Sequence, residues 1–290
     1  MQNADRPIGV FDSGVGGLSV LRQIRDLLPG EDLLYVADSG HAPYGHRPSH
    51  AIEERSLAIA EFLLARNAKA LVVACNTATA AAIHVLRERY DLPVLGIEPA
   101  VKPAVAATRS GVIGVLATHS TLKSPRFAGL VERFGAQARV MVQACPGLVE
   151  QVEAGELESD KTRQLLEHYL RPLLDEGVDT LVLGCTHYPF LASLLAELAG
   201  PGVAVVEPGA AVARHLAHRL SESGLLRPDR EGGTVRFWTS GDLARFNALL
   251  PRLWPHPACA ESLDHAVPLD GETRQKYKIT LSASTSQETP

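Results

Sequence analysis

Short aliphatic runs alternate with amphipathic stretches along most of the chain, and this alternation restricts the fold more than any single motif. IGVF (8–11), LLYVA (33–37), ALVVA (70–74), PVLGI (93–97), VIGVL (112–116), RVMVQA (139–144), TLVLG (180–184), VAVVE (203–207) and VRFWT (235–239) read as strands. Between them, Leu18, Leu21, Ile24 and Leu28 share one face of 16–28, and Leu165, Leu166, Tyr169, Leu170, Leu173 and Leu174 recur at helical spacing in 160–176. Strands apolar on both faces, each followed by a helix, imply an α/β protein with mainly parallel sheets and right-handed crossovers.

The chain also matches itself. Ile8-Gly9-Val10 recurs as Ile113-Gly114-Val115, Val72-Val73-Ala74-Cys75 as Val182-Leu183-Gly184-Cys185, and Ile97-Glu98-Pro99 as Val206-Glu207-Pro208, at offsets of 105, 110 and 109 residues. Three matches in one order at nearly constant offset point to a doubled unit. The expected architecture is two similar flavodoxin-like lobes related by a pseudo-twofold, with the active site in the cleft between them. Lobe one is placed at 1–98 plus 210–268 and lobe two at 99–209. The polar stretch 269–290 lacks an apolar period and is expected to be a disordered tail.

Charge narrows the function classes. With 28 Lys plus Arg against 33 Asp plus Glu, the chain carries a net charge of -5, which is the wrong sign for sequence-independent binding of phosphate backbones. No run approaches a membrane span and the first ten residues hold no apolar targeting segment, so a cytoplasmic protein is expected. The expected partner is a small-molecule substrate, with no nucleic acid and no membrane. A homodimer is compatible with the sequence, which does not decide oligomeric state.

In parallel sheets, working residues gather where strands end and helices begin. IGVF runs into Asp12-Ser13-Gly14-Val15-Gly16-Gly17, LLYVA into Asp38 and then Ala42-Pro43-Tyr44-Gly45, ALVVA into Cys75-Asn76-Thr77, and TLVLG into Cys185-Thr186-His187-Tyr188-Pro189. Cys75 and Cys185 are equivalent in the repeat, so a pseudo-twofold would set two thiols on opposite walls of one cleft. Inverting a stereocentre that bears hydrogen needs a base on one face and an acid on the other, and cysteine can be either. A helix start beside each thiol is expected to lower its pKa. Asp12 and His187 could steer or accept protons, while Ser13, Asn76, Thr77 and Thr186 supply neutral donors for carboxylates.

Other features read more plainly. Cys145 and Cys259 have no repeat partner and are expected to be packing residues. The DSGVGG stretch could form a Gly-rich phosphate cradle, but it lacks the GK[ST] ending of a P-loop and does not match GxGxxG. His41, His46 and His50 lack a completing carboxylate or cysteine at short spacing, so no metal site is expected and the segment reads as a solvated, partly mobile loop. Glu153 reads as a charge on a solvated helix face. None of the six lysines ends a strand as a Schiff-base lysine often does. A nucleotide- or metal-binding regulatory protein remains an alternative, as does an isomerase of aspartate or another small dicarboxylate.

Taken together, DSGVGG (12–17), ADSGHAPYG (37–45), ACNTA (74–78) and GCTHYP (184–189) resemble the bacterial glutamate racemases, in order and approximate spacing. The resemblance extends to Thr118 and Thr121, Glu153 and the FWTSGD segment at 237–242, covering about residues 7–255. It implies cofactor-independent racemisation of L- and D-glutamate, supplying D-glutamate for peptidoglycan, with Cys75 and Cys185 as the two acid/base residues. Cys75 would take the proton of the D-enantiomer and Cys185 that of L-glutamate. Asp12, Ser13, Tyr44, Gly45, Asn76, Thr77, Thr186 and His187 match the family's substrate contacts, with Tyr44 and Gly45 holding the side-chain carboxylate through backbone N–H groups. Thr118 and Thr121 are further candidates. The segment after PYG is more histidine-rich than expected, and regulation by a cell-wall precursor stays open.

Overall fold

The computed structural model describes residues 3–228 and 232–263. Its strands are β1 (Ile8–Asp12), β2 (Leu33–Ala37), β3 (Ala70–Val73), β4 (Val94–Gly96), β5 (Val112–Ala117), β6 (Arg139–Ala144), β7 (Thr180–Leu183), β8 (Ala204–Val206), β9 (Val235–Thr239) and β10 (Ala260–Ser262). They form two sheets, in the order β10-β9-β2-β1-β3-β4 and β6-β5-β7-β8, and every strand pair is parallel. The mixed α/β fold with parallel sheets is therefore as expected. Its tail, 269–290, and residues 264–268 lie outside the described residues.

The self-match has a direct structural meaning. Renumbering the second sheet from β5 turns its order into 2-1-3-4, which is also the order of β2-β1-β3-β4 in the first. Gly9 on β1 and Gly114 on β5 are equivalent positions. A Cβ on Gly9 would stand 3.0 Å from Leu63, and one on Gly114 would stand 3.0 Å from Leu173. The helices Ser49–Ala65 and Asp160–Asp175 press on the two sheets at those points, so the recurring glycine is a packing requirement.

Residues of β1, β2, β3 and β7 are buried throughout, as strands covered by helices on both faces must be. One face of the first sheet, with Phe11, Val36, Val73 and Trp238, packs on Ile59, Leu63 and Ile83. The other face, with Ile8, Val10 and Tyr35, belongs to an apolar cluster that continues through Leu116 and Leu183 of the second sheet and Tyr188 just beyond it. Full burial of each such aliphatic side chain is worth about 1.5–3 kcal/mol, so this shared cluster is what holds the two sheets together. The edge strands β6, β8 and β10 are less covered, and Val142 is exposed on β6.

In a 2-1-3-4 order the connections diverge between the first and third strands, and a crevice opens there at the carboxyl ends. Asp12 and Cys75 flank that crevice in one sheet, and Thr118 and Cys185 in the other. Both crevices face one cleft.

Candidate active site

Cys75 is the N-cap of the helix Asn76–Arg89, its Sγ accepting from the Ala78 N–H at 3.4 Å. Cys185 occupies the matching end of β7, but a short helical turn, Tyr188–Leu191, follows it instead of a long helix. Both thiols line one narrow cavity, together with Ser13, Tyr44, Gly45, Asn76, Thr77, Thr118, Thr121, Thr186 and His187. Asp12 lies behind this lining. Its Oδ1 accepts from the Gly14 N–H at 2.8 Å and its Oδ2 from the Thr186 hydroxyl at 2.9 Å, joining the two lobes. The hydroxyls of Thr77, Thr118 and Thr121 lie 3.0–3.3 Å from one another across the same seam.

Asn76 is only 4% exposed, yet neither its side-chain nitrogen nor its oxygen has a hydrogen-bond partner. Such a group costs about 1–3 kcal/mol when left unpaired. A ligand offering both an acceptor and a donor removes that cost, and an α-amino acid carries both.

The two thiols have different neighbours. Cys75 lies 3.6 Å from the Ser13 hydroxyl, which lies 3.4 Å from Asp12 Oδ1. Burial, with the Asp12 carboxylate adding to it, pushes the Cys75 thiol up from 9.0 to about 12. This corrects the expectation of a lowered pKa: a helix terminus contributes about 0.3–2 kcal/mol, roughly a tenfold change in acidity, against a shift here of about a thousandfold. Asp12 is itself raised from 3.8 to about 6, chiefly by burial and against the pull of His187. Cys185 Sγ lies 3.7 Å from His187 Nδ1, and the other ring nitrogen lies 2.7 Å from Glu153 Oε1. Burial alone would lower the His187 pKa, but the bonds to Cys185 and Glu153 outweigh it and raise it well above the ordinary value.

Several expectations need correction. Glu153 is no solvated charge: its Oε1 accepts from the Val15 N–H at 2.8 Å as well as pairing with His187, and it thereby ties the helix Leu148–Glu153 to the glycine-rich loop. That loop is not a phosphate cradle. A Cβ on Gly14 would stand 1.8 Å from Glu153 Oε1, and one on Gly16 would stand 2.3 Å from His187 Nδ1, so the glycines admit side chains of the opposite lobe. The 41–50 segment is solvated only in part: His46, Pro48, Ser49 and His50 are exposed, but Tyr44 is buried and bonds to Asp38 at 2.6 Å. His46 alone of its histidines reaches across the cleft, 3.9 Å from Glu150. Cys145 is buried as a packing residue, whereas Cys259 is exposed. Among the described residues no group of three or more His, Cys, Asp and Glu could hold a metal ion, and no helix is long and apolar enough to cross a membrane.

Two parallel-sheet lobes thus place one thiol each on a single cavity. The Asp/Glu/Hydantoin racemase model matches residues 8–216, and the chain belongs to that family. It is therefore an isomerase. It is 60% identical over 254 residues to the glutamate racemase of Ectopseudomonas mendocina, covering 87% of this chain and 96% of that one. The crystal structure of Escherichia coli glutamate racemase in complex with L-glutamate and the activator UDP-MurNAc-Ala superposes with a TM-score of 0.79 at 35% identity, covering 89% of this chain and 98% of that one. Glutamate racemase from Francisella tularensis in complex with D-glutamate gives a TM-score of 0.78 at 27% identity, covering 90% and 98%.

Sequence reasoning gave no role to Arg55 and Ser240, which meet the site at Asp38, or to Pro43, Val149 and Gly184, which line the cavity. Arg55 sits within a helix and carries no local signal of a role.

Proposed function

We infer that the protein interconverts L- and D-glutamate, without a metal or an organic cofactor, by a two-base mechanism in which Cys75 and Cys185 alternate as acid and base. Its product would supply D-glutamate for peptidoglycan synthesis in the cytoplasm. The carrying observation is the placement of two repeat-equivalent thiols on one cavity, each with its own proton-handling neighbour. The substrate assignment is supported by relatives whose structures hold L-glutamate and D-glutamate. The corresponding division of the chain is lobe one at 1–98 plus 210–268 and lobe two at 99–209.

In the L to D direction, the Cys185 sulfur, as thiolate paired with imidazolium His187, takes the α-hydrogen as a proton. The electron pair left on Cα accepts the proton of the Cys75 thiol on the opposite face. Burial already keeps Cys75 protonated, which suits it as the acid. The reverse direction needs a Cys75 thiolate, and the substrate ammonium, held near the unpaired Asn76 amide, favours it by opposing the Asp12 charge. Tyr44 and Gly45 hold the side-chain carboxylate, and Ser13, Thr77 and Thr186 complete the set of donors around the substrate.

Proton NMR of each enantiomer formed at low conversion in deuterium oxide tests this reading. The product carries deuterium at Cα and the early remaining substrate does not, because each thiol holds a single exchangeable proton. A D-glutamate product that keeps its α-hydrogen overturns the two-thiol assignment.

A further inference from the structure

Asp38 directly follows β2 and is fully buried, and its carboxylate gathers donors from three parts of the chain. Oδ1 accepts from Arg55 Nη2 at 2.7 Å and Ser240 Oγ at 2.6 Å and lies 3.1 Å from His41 Nδ1; Oδ2 accepts from Tyr44 Oη at 2.6 Å and Arg55 Nε at 3.0 Å. Arg55 comes from the helix Ser49–Ala65 and Ser240 from the end of β9. Burial would raise the Asp38 pKa, but the bonds from Arg55, Ser240 and Tyr44 overcome it and hold the carboxyl below its ordinary range. The same bonds that favour the carboxylate include the one from the Tyr44 hydroxyl, so the ring is held by Asp38.

Tyr44 and Gly45 belong to the wall beside Cys75. The Tyr44 carbonyl accepts from the Arg47 N–H at 3.0 Å, and the Gly45 carbonyl accepts from the Ser120 hydroxyl of the opposite lobe at 2.6 Å. These bonds fix the peptide planes, but the place of the turn relative to the thiols depends on the tyrosine ring, which hangs on Asp38. A bidentate guanidinium defines the carboxylate's orientation as well as its charge.

We propose that Arg55 and Ser240 are positioning residues for substrate binding: acting through Asp38, they set the Tyr44–Gly45 turn against the cavity and so govern affinity for the distal carboxylate without touching it. The proposal rests on the reading that this turn holds the glutamate side chain. The distal carboxylate lies several bonds from Cα and does not change during proton transfer. Weakening its hold removes binding shared by ground and transition states, which raises KM and spares kcat.

The test is steady-state racemisation of both enantiomers by Arg55→Met, Arg55→Lys and Ser240→Ala, with a melting curve for each. Losing charge-assisted bonds of about 1.5–3 kcal/mol predicts a KM higher by about 10- to 100-fold in Arg55→Met, with kcat within about threefold. Arg55→Lys keeps the charge without the fork and recovers part of the loss. Ser240→Ala raises KM by about threefold in the same sense. A folded Arg55→Met enzyme with unmoved KM, or with lowered kcat at unchanged KM, overturns the proposal. Should Arg55→Met fail to fold, Ser240→Ala decides, and its KM staying at the wild-type value overturns the proposal. Wild-type enzyme that does not turn over glutamate overturns the substrate reading, and the proposal with it. Wild-type turnover with unmoved KM values in the variants overturns the proposal alone.

Discussion

The two thiol walls are built on the same strand order and end in opposite electrostatics. Cys75 caps a long helix but faces a buried carboxylate through Ser13, and its thiol is held protonated. Cys185 has only a short turn after it but lies against an imidazole whose pKa is raised by Cys185 itself and by Glu153. Duplicated backbone therefore does not give duplicated chemistry. The neighbour contributed by the next few residues, Asp12 or His187, outweighs the helix end that the repeat supplies.

Serine in place of either thiol breaks the comparison most severely. A hydroxyl is too weak an acid and too scarce as its conjugate base, so Cys75→Ser and Cys185→Ser should each lose glutamate racemisation by roughly a thousandfold or more, measured by circular dichroism. Gly16→Ala comes next. Its Cβ would stand 2.3 Å from His187 Nδ1, so the imidazole must leave Cys185, and kcat/KM should fall by about a hundredfold with a smaller change in melting temperature.

His187→Asn and Asp12→Asn sharpen the comparison. Enantiomers have equal free energies, so kcat/KM must fall equally in both directions whichever wall is damaged. We expect roughly a tenfold to hundredfold loss for either variant. The walls are told apart by isotope effects. With His187 removed, proton transfer at Cys185 becomes the slower step, so the effect of α-deuterium grows for L-glutamate and shrinks for D-glutamate. Asp12→Asn should do the reverse, and equal isotope effects in both variants would dissolve the distinction between the walls.

Asp12 also predicts a stability effect. Its pKa is raised on folding from 3.8 to about 6, so the folded state binds the proton more tightly. That contribution is complete below pH 3.8 and is lost as pH rises through about 6. Asp12→Asn, which cannot ionise, should therefore gain as much as about 3 kcal/mol over wild type at pH 8, and the gain should vanish by about pH 4, read from chemical denaturation at each pH. The smallest effect belongs to Cys145→Ser. Its buried thiol donates to the Gln143 carbonyl at 3.4 Å, a bond that a serine hydroxyl can keep. The variant should leave turnover unchanged and cost about 1 kcal/mol in the same denaturation measurement.

Much of this was legible in the sequence because parallel strands write their burial on both faces. The nine runs read as strands all pair in the sheets, and the recurring Ile-Gly-Val marks equivalent strands, β1 and β5. β10 has no such signature, since Ala-Glu-Ser carries no apolar run and pairs at the edge of its sheet with two of its three residues exposed. At the site, strand ends pointed to Asp12, Cys75 and Cys185. Glu153 was misread because its helical context looks solvated until the glycine loop of the other lobe is laid against it. Arg55 gave no signal at all: what it does is set by Asp38, seventeen positions away in sequence and in contact only after folding.

The chain leaves the first sheet after β4, builds the second from β5 to β8, and returns to add β9 and β10. The second sheet is thus inserted into the first and joined to it by two backbone crossings, near residues 97–101 and 206–209. The crossings are not its only ties, since the shared apolar cluster and the Asp12–Thr186, Val15–Glu153 and Gly45–Ser120 hydrogen bonds also span the seam. Both walls of the narrow cavity are therefore set by contacts between segments far apart in sequence, and a change on either side of the seam reaches both thiols.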